Sequence, residues 1–190
     1  MNWKERIANY VRATKYPESL FLSGDGRVVG TWIMGQNYTV KSQFYGGYPA
    51  GYLRRIKALF PDKKNVLHLF SGKVDTKLMP GVTVDINGDY GCDIIDDAQT
   101  LRNVPVQQFD LVMCDPPYSI EDAQHYKTTD VKRNVVMRTL GARLKRGGHV
   151  VWLDQVLPMY RKDQFALEAV IGMVKSTNHR FRVVCIFRRR

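Results

Sequence analysis

From residue 66 onward the chain alternates short apolar runs of β-forming residues with turn-rich or helix-patterned stretches, and this alternation constrains the fold more than any other feature. Runs at 66–70, 82–86, 93–95, 111–114 and 149–153 read as strands whose spacing predicts parallel pairing through crossovers. Residues 122–144 read mostly as helix, and Gly147-Gly148 punctuates it. The runs at 165–174 and 181–187, separated by 175–180, read as a closing antiparallel pair. The expected architecture is α/β, a doubly wound, mostly parallel sheet with an antiparallel edge. Such sheets bind ligands at the carboxyl ends of their strands, so chemistry is sought in the loops that follow them.

The first fifty residues differ. Runs at 19–22 and 27–34 flank Ser23-Gly24-Asp25-Gly26, strong turn chemistry for a hairpin. A glycine- and aromatic-rich loop follows over 36–48. Pro49 then opens a helical segment in which Tyr52, Leu53, Ile56, Leu59 and Phe60 recur at helical spacing. With 190 residues, 44% of them hydrophobic, the chain suits one core. We therefore expect a single domain over 1–190, with an N-terminal extension at 1–48 and a catalytic core at 49–190. No run approaches the length of a membrane span, and the start carries Lys, Glu and Arg where a signal peptide is apolar, which points to the cytoplasm. Cys92, Cys114 and Cys185 are scattered, so neither disulfides nor a metal site is expected.

The 29 Lys and Arg outweigh the 18 Asp and Glu to give a formal net charge of +11, and polyanions are the natural partner of such a surface. Basic residues gather at Arg54, Arg55, Lys57, Lys63 and Lys64, at Arg143, Lys145 and Arg146, and at Arg180, Arg182 and residues 188–190. Acidic residues concentrate between Asp85 and Asp130. The expected surface is a basic rim around an acidic centre, with Arg54 and Arg55 among the phosphate contacts.

Directly after the 111–114 strand stands Asp115-Pro116-Pro117-Tyr118, a tetrapeptide that average residue usage produces by chance in about one such chain in a thousand. It resembles the catalytic motif of class I S-adenosylmethionine-dependent amino-methyltransferases, whose form is Asp or Asn, Pro, Pro, then an aromatic residue. The chemistry accounts for the residue types. An exocyclic base amine has its lone pair delocalised into the ring, and attack on a sulfonium methyl requires the nitrogen to become tetrahedral. The Asp115 carboxylate and the Pro116 carbonyl can accept its two N–H groups, Pro116 and Pro117 hold that carbonyl in place, and Tyr118 offers a stacking face for the base.

Other segments follow the same resemblance. Residues 66–72 end in Phe70-Ser71-Gly72, similar to the turn that cradles the methionine part of S-adenosylmethionine, although Val74 stands where a second glycine is expected. Asp85 ends the next strand where this class binds ribose hydroxyls. The link 73–81 is too short for a full crossover helix, so a truncated crossover and an open cofactor cleft are expected. Asp97 resembles the acid that contacts the adenine amine, Tyr48 belongs to a segment that helps to seat the methionine carboxylate, and His179 lies where related enzymes line the target-base pocket.

The resemblance covers roughly residues 45–190 and implies a Rossmann-like methyltransferase fold with an antiparallel C-terminal strand. The chain looks most like small, phage-type DNA adenine-N6 methyltransferases, with DNA as partner ahead of RNA. Three readings stay open beside it: a guanine-N2 or adenine-N6 methyltransferase of RNA, a cytosine-N4 target, and an inactive nucleic-acid-binding partner subunit. A homodimer is equally open.

Overall fold

The computed structural model describes residues 1–35, 47–118, 131–176 and 180–190. Helix α1 (Trp3–Thr14) leads into strands β1 (Leu20–Leu22) and β2 (Val28–Met34) and helix α2 (Tyr52–Leu59). Strands β3 (Val66–Leu69), β4 (Val82–Asp85), β5 (Ile94–Ile95) and β6 (Leu111–Cys114) follow. Helix α3 (Arg133–Arg143) and strands β7 (His149–Asp154), β8 (Phe165–Lys175) and β9 (Phe181–Arg189) complete the described elements.

All the described strands join one sheet in the order β1-β2-β8-β9-β7-β6-β3-β4-β5. Strands β2 and β8 pair in parallel, as do β7, β6, β3, β4 and β5 with their neighbours, whereas β1 and β9 run against the rest. The chain moves from β3 outward to β4 and β5, then returns to the other side of β3 as β6. That reversal opens a crevice between the carboxyl ends of β3 and β6, the topological switch point where such sheets bind ligands.

Every residue of β3, β6 and β7 is buried, because both faces of the sheet are covered there. Helices α1 and α2 cover one face, placing Tyr10, Tyr52, Ile56 and Leu59 against Trp32, Met113, Val151 and Ile186. Helix α3 and the segment 98–109 cover the other, with Leu101, Val104, Val136 and Leu140 over Leu67, Val112, Val150 and Cys185. Gly141 lets α3 approach closely: a Cβ there would lie 2.3 Å from the Gln164 Oε1 atom.

Helix α1 is absent from the periodicity reading. Its start is nonetheless written in the sequence, since Asn2 accepts from the Glu5 N–H while the Glu5 carboxylate accepts from the Asn2 N–H. The buried Arg6 then fastens α1 to α2, donating to the Leu59 carbonyl at 2.8 Å and to both carboxylate oxygens of Asp62 at 2.6 and 2.9 Å.

Two expectations meet the structure differently, and a third is met. The hairpin joins the main sheet instead of standing apart, since β2 adds in parallel to β8, and this moves the antiparallel β9 from the edge to the interior. The expected helix over 122–144 is seen as α3 alone, residues 119–130 lying outside the described residues. The link between β3 and β4 contains turns and no helix, as its length required.

Replacing Arg6 by Ala leaves Asp62 and the Leu59 carbonyl without their charged donor, and should lower stability by about 2 kcal/mol. Urea unfolding should show a lower midpoint with an unchanged m value. An unchanged midpoint would show that water replaces the guanidinium without cost.

Candidate active site

The loop after β6 carries Asp115 to the crevice, and its conformation is fixed from behind. The Asp154 carboxylate, fully buried at the end of β7, accepts from the Arg133 Nε at 2.6 Å, the Trp152 Nε1 at 3.1 Å and the Gln155 N–H at 2.7 Å. Arg133 opens α3, and its Nη2 also donates to the carbonyls of Pro117 and Tyr118, each at 3.3 Å. The Pro116 carbonyl is not among those it takes.

Inside the loop the Tyr118 hydroxyl donates to the Asp115 carboxylate. Burial raises the Asp115 carboxyl to about 6; the Tyr118 hydrogen bond and the Arg182 charge pull it down, and the Asp154 charge pushes it up. The Arg182 guanidinium, from β9, lies over the Tyr118 ring at 4.4 Å from its centroid. Burial drives the Tyr118 hydroxyl far upward, reinforced by Asp115, so Tyr118 is neutral and a donor at ordinary pH.

The α2 side of the crevice is aromatic. Tyr48 packs on Tyr52 with ring centroids 5.4 Å apart, and its hydroxyl lies 3.3 Å from the His68 Nδ1. The His68 Nε2 is 3.0 Å from the Met79 carbonyl, which can only accept, so Nε2 carries the proton and Nδ1 accepts from Tyr48. Burial lowers the His68 pKa and keeps the ring neutral. Burial, with the Asp115 charge second, pushes both tyrosine hydroxyls well up, and the Tyr52 hydroxyl is buried without a hydrogen-bond partner.

On the other side of Asp115 the strand ends place the remaining candidates in order. Phe70 and Gly72 adopt positive φ (57° and 50°) in the turn after β3, and the Ser71 Oγ is buried without a partner. Asp85, ending β4, accepts from the Gly72 N–H at 2.8 Å through one oxygen and from the Asn87 N–H at 2.9 Å through the other. After β5, Asp97 accepts from the Gln99 N–H at 2.8 Å, while the buried Asp96 holds the Asn103 N–H at 2.6 Å. Adjacent strands lie about 4.8 Å apart, so the three steps from β5 to β6 span roughly 14 Å, the scale of an extended nucleoside conjugate. Asp93 is bound within the sheet, accepting from the Thr83 N–H and hydroxyl.

The structure thus brings together Tyr48, Phe70, Ser71, Gly72, Asp85, Asp97 and the 115–118 loop along adjacent strand ends. His179 and the part of the Tyr48 segment before Gly47 lie outside the described residues. Arg55 is a correction: it is buried, donates to the Tyr10 hydroxyl and the Ile33 carbonyl, and lies 4.0 Å over the Tyr16 ring, so it is core glue and no phosphate contact. Arg54 is exposed on α2, but its Nη2 donates to the Thr14 carbonyl at 3.1 Å. Tyr52, His68, Arg133 and Arg182 were not singled out for the site from sequence. In the sequence Arg182 was noted only as one of the basic residues of the closing strands.

Among solved structures the chain is similar to TrmN from Thermus thermophilus, with 17% identity over 73% of this chain and 48% of that one and a TM-score of 0.53. The chain therefore spans about half the length of TrmN. It is also similar to the N-methyltransferase NodS from Bradyrhizobium japonicum WM9 in complex with S-adenosyl-L-homocysteine, at 13% identity, 72% and 83% coverage and a TM-score of 0.48. For the fibrillarin/Nop5p complex the figures are 14%, 90% and 98%, and 0.46. No protein-family model and no curated protein matches the sequence. What the chain shares with TrmN is the fold, a mostly parallel Rossmann-like sheet with an antiparallel C-terminal strand. Among the described residues no helix is long and apolar enough to cross a membrane.

A carboxyl group raised to about 6 contributes stability that is present below its unfolded value of 3.8 and is lost as pH rises through 6. Replacing Asp115 by Asn should therefore stabilise the fold by about 3 kcal/mol at pH 8, and the gain should vanish between pH 6 and pH 4. Thermal melts across that range check this; a constant difference would separate Asp115 from the titration.

Proposed function

We propose that the chain is an S-adenosylmethionine-dependent methyltransferase acting on the exocyclic amine of a nucleic-acid base, with N6 of adenine in DNA as the target. The observation that carries this reading is the Tyr118 hydroxyl bonded to a half-buried Asp115 carboxylate beside a Pro116 carbonyl that Arg133 leaves untouched. A donor already sits where a substrate N–H would sit.

The residues along β3, β4 and β5 fit the cofactor. The orphaned Ser71 hydroxyl can meet a polar group of its methionine part at the Phe70-Gly72 turn, with Tyr48 on the opposite wall. The Asp85 and Asp97 carboxylates each keep lone pairs beyond their backbone partners, Asp85 for ribose hydroxyls and Asp97 for the adenine amine. When bound, the cofactor supplies an electrophilic sulfonium methyl.

The protein's own part is orientation and charge. A base entering the crevice stacks on Tyr118, and its amine replaces the Tyr118 hydroxyl as donor to Asp115. The second N–H goes to the Pro116 carbonyl, so the nitrogen lone pair is directed out of the ring plane. The Asp115 carboxylate stabilises the positive charge that grows on nitrogen and is placed to take the proton released once the C–N bond has formed. Arg133 and Asp154 keep the loop from yielding.

The test is incubation with isotopically labelled S-adenosylmethionine and unmethylated DNA or total RNA, followed by identification of labelled nucleosides. Label in N6-methyladenine from DNA supports the proposal, label in a guanine of RNA transfers it to RNA, and no label in either refutes it. In the productive assay Asp115→Ala should abolish transfer while S-adenosylhomocysteine still binds. The wild-type kcat/KM should fall about tenfold per pH unit below pH 6, where Asp115 becomes protonated. Asp115→Asn keeps an acceptor oxygen and should lose that acid limb; an acid limb that survives the substitution would assign the titration to another group.

A further inference from the structure

Three cations converge where β8 ends and β9 begins, and among the described residues no carboxylate pairs with Lys175 or Arg182. Lys175 ends β8, Arg180 faces it across the turn with its carbonyl accepting from the Lys175 N–H at 3.4 Å, and Arg182 pairs in register with Met173. Neither Lys175 nor Arg182 takes part in any ion pair among the described residues. The Arg182 Nε is buried with no hydrogen-bond partner, an unusual state for a group so costly to strand. Mutual repulsion is felt as well: burial first, and then the charges of Arg182 and Arg180, lower the Lys175 pKa. Among the described residues Lys175 and Arg182 have no counter-anion, and Arg182 lies on a face of Tyr118 on which a base would stack.

We propose that Arg182 holds the base-stacking face of Tyr118 in the resting protein and moves to bind the phosphodiester of the target nucleotide when the base enters, with Lys175 adding charge beside it. The inference rests on the reading of the crevice as a nucleic-acid methyltransferase site. Its geometry follows from two placements. The guanidinium lies 4.4 Å above the Tyr118 ring, and a base cannot stack on that face until the guanidinium leaves. A nucleotide brings its own replacement for the lost contact, since a phosphate offers the planar guanidinium a bidentate partner that Tyr118 does not. Base and phosphate therefore exchange places with one side chain. A nucleoside without phosphate must displace Arg182 and give nothing back.

The experiment measures binding of a short single-stranded oligonucleotide across a salt series, by anisotropy, for wild type, Arg182→Gln and Arg182→Lys, with methyl-transfer kinetics on the same oligonucleotide. Arg182→Gln should flatten the slope of log affinity against log salt by about 0.7, one phosphate contact on a single strand. It should raise KM about tenfold with kcat little changed, the pattern of lost uniform binding. Arg182→Lys should keep the slope. Losing the cation also removes a charge that pulls Asp115 down, so the acid limb of kcat/KM should move to higher pH in Arg182→Gln. As a check independent of folding, an oligonucleotide with a neutral methylphosphonate beside the target base should lose affinity for wild type and lose none further for Arg182→Gln. An unchanged salt slope in folded Arg182→Gln, or a full additional loss with the methylphosphonate, overturns the proposal. Absence of methyl transfer by wild type to any nucleic acid overturns the underlying function instead, and the salt series reads out separately from it.

Discussion

The pairing of Arg133 with Asp154 is the constraint on which the crevice depends. Asp154 is wholly enclosed, and an enclosed carboxylate without donors would cost several kcal/mol. It receives three donors, one of them the Arg133 guanidinium, which has capacity left for the carbonyls of Pro117 and Tyr118. One guanidinium thereby joins the end of β7, the start of α3 and the loop after β6. Removing either partner would strand the other, so these elements hold one mutual arrangement. Burial raises Asp115, the Tyr118 hydrogen bond and the Arg182 charge lower it and the same Asp154 charge pushes it up, which places the Asp115 carboxyl at about 6.

The strands were legible because β3, β6 and β7 are buried on both faces and therefore read as continuous apolar runs. The loop after β6 was legible because four residues in fixed order carry its chemistry. What escaped was non-local. Nothing in the period of β2 announces that it pairs in parallel with β8, about 140 residues later, yet that pairing decides whether β9 lies at an edge or inside. Arg55 shows the converse. It lies on α2 among Tyr52, Ile56 and Leu59, and its charge suggested a solvated face, but the rings of Tyr10, Tyr16 and Trp32 form a cage in which a guanidinium can be buried. Arg133 and Arg182 act on residues 15 or more positions away in sequence but adjacent in space, and no local pattern encodes such a meeting.

The distribution of charge also differs from a rim around an acidic centre. Many basic side chains are committed to the fold: Lys57 donates to the Leu78 carbonyl, Arg143 to those of Thr100, Leu101 and Val104, and Lys145 pairs with Asp110. Lys63 and residues 188–190 lie at the amino ends of the parallel strands, where Lys63 reaches the Gly147 carbonyl and Arg188 pairs with Glu168. Burial acts to raise the Glu168 carboxyl, but His149, Arg188 and Trp3 donate to it and together hold it at about 2. This network sits at the opposite end of the sheet from Asp115. Near Asp115 the described cations include Arg133, committed to the loop after β6, and Arg182 from the start of β9, so the basic residues do not form one rim around the crevice.

Every carboxylate assigned to ligand binding already has a local donor: Asp85 has Gly72 and Asn87, Asp97 has Gln99, and Asp115 has Tyr118. These bonds aim the carboxylates before any ligand arrives, which reduces the entropy that binding must overcome. They also separate the sites by kind. Under the proposed function, Asp85 and Asp97 would keep their backbone donors and accept the cofactor on remaining lone pairs, adding to an intact loop. At Asp115 the donor is a side chain that must yield, and substrate binding there exchanges one hydrogen bond for another at little net gain. Under the proposed function, affinity for substrate would then come from stacking and from phosphate, while the exchange at Asp115 would report whether an amine is present. On that reading, discrimination and affinity would reside in different residues of the same crevice, so that a short β3–β4 link without a crossover helix need not cost selectivity for the reacting group.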